Sequence, residues 1–118
     1  TIGEIAEMYP VELARWRAGE PDLGCGVETI DDMTKRVGAA LRDAVESTPD
    51  GVVVVATHGA AARYGIGELL GWPLEMARTL GGLGNCHWSE LRLGAGRSWV
   101  QQAHHGWRLQ AHNLSAFD

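Results

Sequence analysis

Apolar and polar positions along the chain switch between a helical and an extended rhythm. From Ile2 to Ala18, apolar residues fall at Ile2, Ile5, Ala6, Tyr9, Leu13 and Trp16, the three-and-four spacing of one helix face. Pro10 has no N–H for an intrahelical bond, so the spacing predicts two helical pieces, the second opening on Pro10. The stretch GEPDLGCG, Gly19 to Gly26, is rich in turn residues and carries no periodicity. A second helix face follows at Ile30, Met33, Val37, Leu41 and Val45, running down to Thr48. Thr29, with Asp32 three residues later, approximates a capping box at its start.

Pro49, Asp50 and Gly51 then turn the chain. Val52 to Thr57 is a short, nearly uninterrupted apolar run of the kind buried on both faces of a parallel sheet. A helix from about Ala60 to Leu70 is expected next, ended by Gly71 and Pro73. Helix, strand, helix in this order predicts an α/β fold: three layers, α/β/α, around a mostly parallel central sheet with Val52 to Thr57 as a central strand. Further on, CHWSELRL and HGWRLQAHN read as two strands around a loop at Gly94 to Arg97.

Composition narrows the function classes. With 118 residues the chain has one domain's worth of sequence, and 45% hydrophobic against 21% charged residues excludes general disorder. A formal net charge of -5 and the lack of any Lys/Arg cluster argue against nucleic acid or an anionic membrane as partner. No apolar run approaches the roughly 18 residues of a membrane span, and no charged-then-apolar leader is present, so a cytoplasmic setting is expected. Cys25 and Cys86 show no metal-ligand spacing and are expected to be reduced thiols.

The candidate chemistry sits where the valine run ends, in VVVVATHGAAARYG. In open α/β sheets the ligand crevice lies at the carboxyl ends of strands, where loops hand over to helix N-termini. His58 occupies such a position. The first N–H groups of the following helix lack intrahelical partners, and the helix dipole adds positive character. Gly59 lets the backbone approach a ligand closely. Two roles fit the imidazole: satisfying a hydrogen bond at the strand end, or converging with the backbone amides on a phosphate-like anion.

Other candidates carry less. Adjacent rings at His104 and His105 would point to opposite faces of a strand and cannot easily share a metal, and His87 and His112 lack a carboxylate or Cys at ligand spacing, so structural roles are expected for them. Trp16, Trp72, Trp88, Trp99 and Trp107 are scattered, which favours packing over a stacking platform. LGGLGN lacks the Lys-Ser/Thr ending of a phosphate loop and precedes a strand. No Ser sits in a Gly-x-Ser-x-Gly elbow.

Taken together, four segments resemble one family. VVVVATHGAAAR resembles the second histidine motif of the histidine phosphatase (phosphoglycerate mutase-like) superfamily, in which an apolar strand ends in His-Gly and an Arg follows. GVETIDDMTKRV is similar to that family's Gly-x-Glu-Ser segment and long helix, with Thr29 in place of Ser. TIGEIAEMYP looks like the helix after its Trp-x-Gly-Leu-Thr stretch, and LGGLGNCHWSEL with WRLQAHN is similar to its last strands. The last pair looks closest to actinobacterial members that dephosphorylate glucosyl-3-phosphoglycerate.

The resemblance implies a phosphomonoester hydrolase working through a phosphohistidine, on a small phosphorylated acid or sugar acid, without metal or other cofactor. It implies that His58 stabilises the transferring phosphoryl group and that Gly59 and Ala60 offer backbone N–H groups to the same oxygens; Arg63 and Glu28 match motif positions for which structural pairing is expected. The family's nucleophilic His in an Arg-His-Gly motif, its further Arg and its general acid have no counterpart in these residues. The expectation is therefore the C-terminal portion of a single such domain, residues 1–118, with the sheet incomplete on its N-terminal side and the missing half as a partner. A mutase of the same family, a non-catalytic module that binds a phosphorylated ligand or docks on a partner by its sheet edge, and a homo-oligomer are all compatible with the same residues.

Overall fold

The computed structural model describes residues 1–94 and 106–117. The chain divides into two compact units, Thr1–Met33 and Thr34–Asp118.

In the first unit, α1 (Ile2–Met8) and α2 (Pro10–Ala18) meet at Tyr9, so the break falls where the proline predicts it. Thr1 caps α1: its hydroxyl accepts the Glu4 N–H at 3.3 Å while the Glu4 side chain reaches back to the Thr1 backbone. Gly19, at φ 73, closes α2 in the left-handed conformation that glycine adopts without strain. Of the expected apolar face, Leu13 is buried, whereas Ile2, Tyr9 and Trp16 remain exposed. The packing role expected for Trp16 is thus not met within this unit, because two short helices offer no further layer to cover their outer face.

The second unit is built around a helix that later positions the candidate site. The expected long helix is α3 (Ile30–Glu46), which enters this unit from Thr34 onward and ends two residues short of Thr48. The Thr29 hydroxyl accepts the Asp32 N–H at 3.1 Å and donates to the Asp32 carboxylate at 2.8 Å, a capping pair that closes on its own side chains. Val37 is buried on the face the periodicity assigned to the core, with Leu41 and Val45 half-buried along it. The helix after His58 is α4 (Gly59–Leu69), which buries Ala62, Tyr64, Gly65, Ile66, Gly67 and Leu69. Gly71 lies just beyond it at φ 66. A short helix with no periodic signal in the sequence, α5 (Leu74–Thr79), follows from Pro73.

Contact between these helices is close because side chains are missing at the crossings. A Cβ on Gly65 would lie 2.6 Å from the Val37 side chain and 3.0 Å from that of Leu41. One on Gly67 would lie 2.6 Å from the Ala77 Cβ. On α3, Gly38 makes room for the aliphatic stem of Glu68, whose carboxylate meets Arg42 at 3.3 Å. That ion pair is partly solvent-exposed and adds little beyond orientation. The apolar seat of α4 holds the unit together.

The two C-terminal strands form as predicted, as β1 (Trp88–Leu93) and β2 (Trp107–Leu114), paired antiparallel. Cys86 and His87 precede β1 instead of belonging to it, with Cys86 in a turn at φ 60. The loop expected at Gly94 to Arg97 from residue 95 onward, together with Trp99, His104 and His105, lies outside the described residues.

Helices and a small sheet make this an α/β chain, but the expected central strand is not formed among the described residues. Among the described residues the sheet is two-stranded and antiparallel, and residues 52–57 belong to no ladder. Val52 and Val54 are 87% and 90% exposed, where burial on both faces was expected. The reason is physical: β-branched residues favour extended backbone, but a strand exists only when a neighbour takes its N–H and C=O groups. Here β1 and β2 pair with each other, and neither pairs with residues 52–57.

The close crossing of α4 on α5 has a direct test. Gly67→Ala gains up to about 1 kcal/mol in helix propensity, yet it drives a methyl into the Ala77 Cβ, and overpacking costs about 1–3 kcal/mol. A lowered urea midpoint, equivalent to a net loss of about 1–2 kcal/mol, is expected; an unchanged or raised midpoint would show that the helices do not touch there.

Candidate functional site

The residues expected to carry the chemistry occupy one turn at the start of α4. His58 is the N-cap residue, in extended backbone at φ -103, ψ 152, and its side chain makes no capping hydrogen bond. The ring is exposed. The first intrahelical bond runs from the Ala62 N–H to the His58 carbonyl at 2.8 Å, so the N–H groups of Gly59, Ala60 and Ala61 precede it. No acidic residue stands in this first turn to occupy the positive end of the helix. An exposed imidazole and successive backbone amides thus share one turn.

Gly59 has a steric reason as well as an electrostatic one. A Cβ there would lie 3.3 Å from the Leu83 carbonyl oxygen, a tight approach between α4 and the glycine-rich segment before β1. One turn further along the same face, Arg63 places a terminal guanidinium nitrogen 3.3 Å from where a Gly82 Cβ would stand. The buried Arg63 Nε makes no hydrogen bond, so the structural pairing expected of this arginine is absent at that atom. LGGLGN thus packs on the start of α4.

His87 and His112 hold structural positions. His112 stands between the Ser89 hydroxyl, 2.8 Å from Nδ1, and the Gly81 carbonyl, 2.8 Å from Nε2. His87 Nδ1 lies 2.9 Å from the Asn113 side-chain oxygen, which also accepts the Gly84 N–H at 2.8 Å. Sequence reasoning passed over Ser89 and Asn113. The signal available was Asn113 itself, a residue type depleted in strands, inside a segment that otherwise reads as one.

Concavity does not mark the site. A groove of about 590 Å³ in the first unit is lined by apolar side chains, among them Ile5, Leu13, Trp16 and Val27, and contains none of His58, Gly59 or Ala60. A second, about 230 Å³, lies between Arg42, Val45, Glu46, Leu93 and Trp107. Neither is lined by His58, Gly59 or Ala60. Among the described residues, no three His, Cys, Asp or Glu side chains gather as a metal site would require. No helix among them is long and apolar enough to cross a membrane.

A His at the entrance of a helix, with open amides behind it, makes a candidate anion-binding turn. The chain belongs to the histidine phosphatase superfamily (branch 1), whose family pattern matches residues 1–113. Comparison with curated proteins and with solved structures found no match. Membership in the superfamily points to phosphatase or mutase-type activity.

Adding inorganic phosphate to ¹⁵N-labelled protein should move the amide resonances of Gly59 and Ala60 and the ring resonances of His58, less so at high salt. Movement confined to other residues would count against this turn as the anion site.

Proposed function

We propose that this chain is the C-terminal portion of a phosphomonoester hydrolase that works through a phosphohistidine, with a small phosphorylated acid or sugar acid as substrate. The observation that carries the reading is the uncapped first turn of α4, with the His58 ring and the Gly59 and Ala60 amides open to one ligand. His58 donates a hydrogen bond to a phosphoryl oxygen, and the two amides donate to the same group. These interactions strengthen as negative charge gathers on the transferring oxygens, which is how they lower the barrier.

In this reading the attacking group comes from a complementary segment bearing an Arg-His-Gly motif. Its imidazole nitrogen forms a bond to phosphorus as the ester P–O bond breaks, and a carboxylic acid protonates the departing oxygen. Water then attacks the phosphohistidine, releasing inorganic phosphate and restoring the nitrogen. The same segment supplies the neighbouring strands, so that residues 52–57 become the central strand of a three-layer α/β/α domain with a mostly parallel sheet. The exposed valines at 52 and 54 support this, since they leave apolar surface and backbone groups for another strand to cover. A cytoplasmic location fits the two free, exposed thiols of Cys25 and Cys86. A mutase would use the same turn, returning the phosphoryl group to substrate instead of water.

The 118 residues alone should show no turnover of a generic phosphomonoester, and activity should appear when the complementary segment is supplied in cis or as a separate chain. Robust hydrolysis by the 118-residue chain would overturn this division of roles.

In the completed enzyme, His58→Ala should lower kcat by about 100 to 1,000-fold with the fold intact. Circular dichroism controls for folding, and an unaffected kcat would remove His58 from the mechanism.

A further inference from the structure

We infer that Asn113, with His112 beside it, is a positioning residue for the His58 turn: from β2 it pins residues 81–85 against the start of α4. This rests on the reading of that turn as a phosphate site. Consecutive side chains on a regular strand point to opposite faces and could not both serve one neighbouring segment. The β1–β2 ladder, however, loses register between the pairs Trp88↔Leu114 and Glu90↔Ala111, so that Ser89 alone stands opposite both His112 and Asn113. Asn113 absorbs this bulge at φ 59, a left-handed conformation that asparagine tolerates better than most residues. As a result both side chains reach the same segment, His112 at the Gly81 carbonyl and Asn113 at the Gly84 N–H, each at 2.8 Å.

Hydrogen-bond logic fixes the orientation of every group. The Gly84 N–H can only donate, so the Asn113 atom facing it is the oxygen, and His87 must carry its proton on Nδ1 to donate to that oxygen too. The Gly81 carbonyl can only accept, so His112 is protonated on Nε2, and its Nδ1 accepts from the Ser89 hydroxyl when the ring is neutral.

What the clamp holds in place is the Leu83 carbonyl, 3.3 Å from where a Gly59 Cβ would be. That oxygen stands beside Gly59, in the turn whose first amides have no intrahelical partner. A segment free to move could swing it onto those N–H groups, capping the helix internally and excluding a phosphate oxygen from the same donors. Pinned by Gly81 on one side of Leu83 and Gly84 on the other, the oxygen is kept beside the amides without taking them. Asn113 thus acts through the loop, without touching the ligand.

The test uses ¹⁵N-labelled 118-residue chain and inorganic phosphate. Asn113→Gly removes the acceptor and suits the positive φ, while Asn113→Asp retains an oxygen at the same place. Without phosphate, Asn113→Gly should shift the Gly59 and Ala60 amide resonances along with Gly84, and Asn113→Asp should restore them. With phosphate, Asn113→Gly should bind about tenfold more weakly. Gly59 and Ala60 resonances unchanged in Asn113→Gly would overturn the inference. If the parent chain itself gives no phosphate response, the phosphate reading falls, while the phosphate-free resonances still decide the clamp. Should Asn113→Gly fail to fold, hydrogen exchange in the parent chain decides: a protected Gly84 amide supports the clamp, and exchange at the unprotected rate refutes it.

Discussion

The seating of α4 is the contact on which the second unit depends. Its buried face meets α3 through Gly65 against Val37 and Leu41, and meets α5 through Gly67 against Ala77. Helix axes held this close leave little freedom to slide, because a packed interface resists small displacements. The N-terminal turn inherits that rigidity. His58 is exposed and unconstrained by any capping bond, yet the backbone carrying it is continuous with the most buried helix of the chain. An exposed ring on a firmly seated backbone is thereby presented to solvent from a fixed position.

A second constraint comes from the sheet. The β1–β2 pair is too small to form a core, and its contribution to the site is made through side chains projecting from a bulge. His112, held by Ser89, and Asn113 connect β2 to a glycine-rich segment far earlier in the chain that has no regular structure of its own. Glycines at 81, 82 and 84 let that segment run close to α4, and the same lack of side chains leaves it dependent on outside hydrogen bonds for its shape.

Much of this was legible in the sequence where local rules act alone. Pro10 placed the break between α1 and α2, Thr29 with Asp32 placed the start of α3, and the His58-Gly59 pair placed the start of α4 within a residue. The candidate turn was readable for the same reason, since its three residues are neighbours in the chain. What sequence could not give was anything decided by partners at a distance. Residues 52–57 have the composition of a buried strand, but composition does not supply a neighbouring strand, and they remain unpaired. Asn113 stood out only as a residue type unusual in a strand, because a register shift, and not a motif, makes it important.

The exposed valine stretch also has a kinetic consequence. Helix α4 packs on α5 a few residues further along, so its contacts close over short loops and form early in folding. Residues 52–57 have no such local partner. Any strand that eventually covers them closes a longer loop or arrives from another molecule, and that step comes last and slowest. During the interval, a β-branched edge stands next to a folded helix and can template pairing with identical copies. The race between correct pairing and self-association is therefore set by how soon a neighbouring strand is supplied.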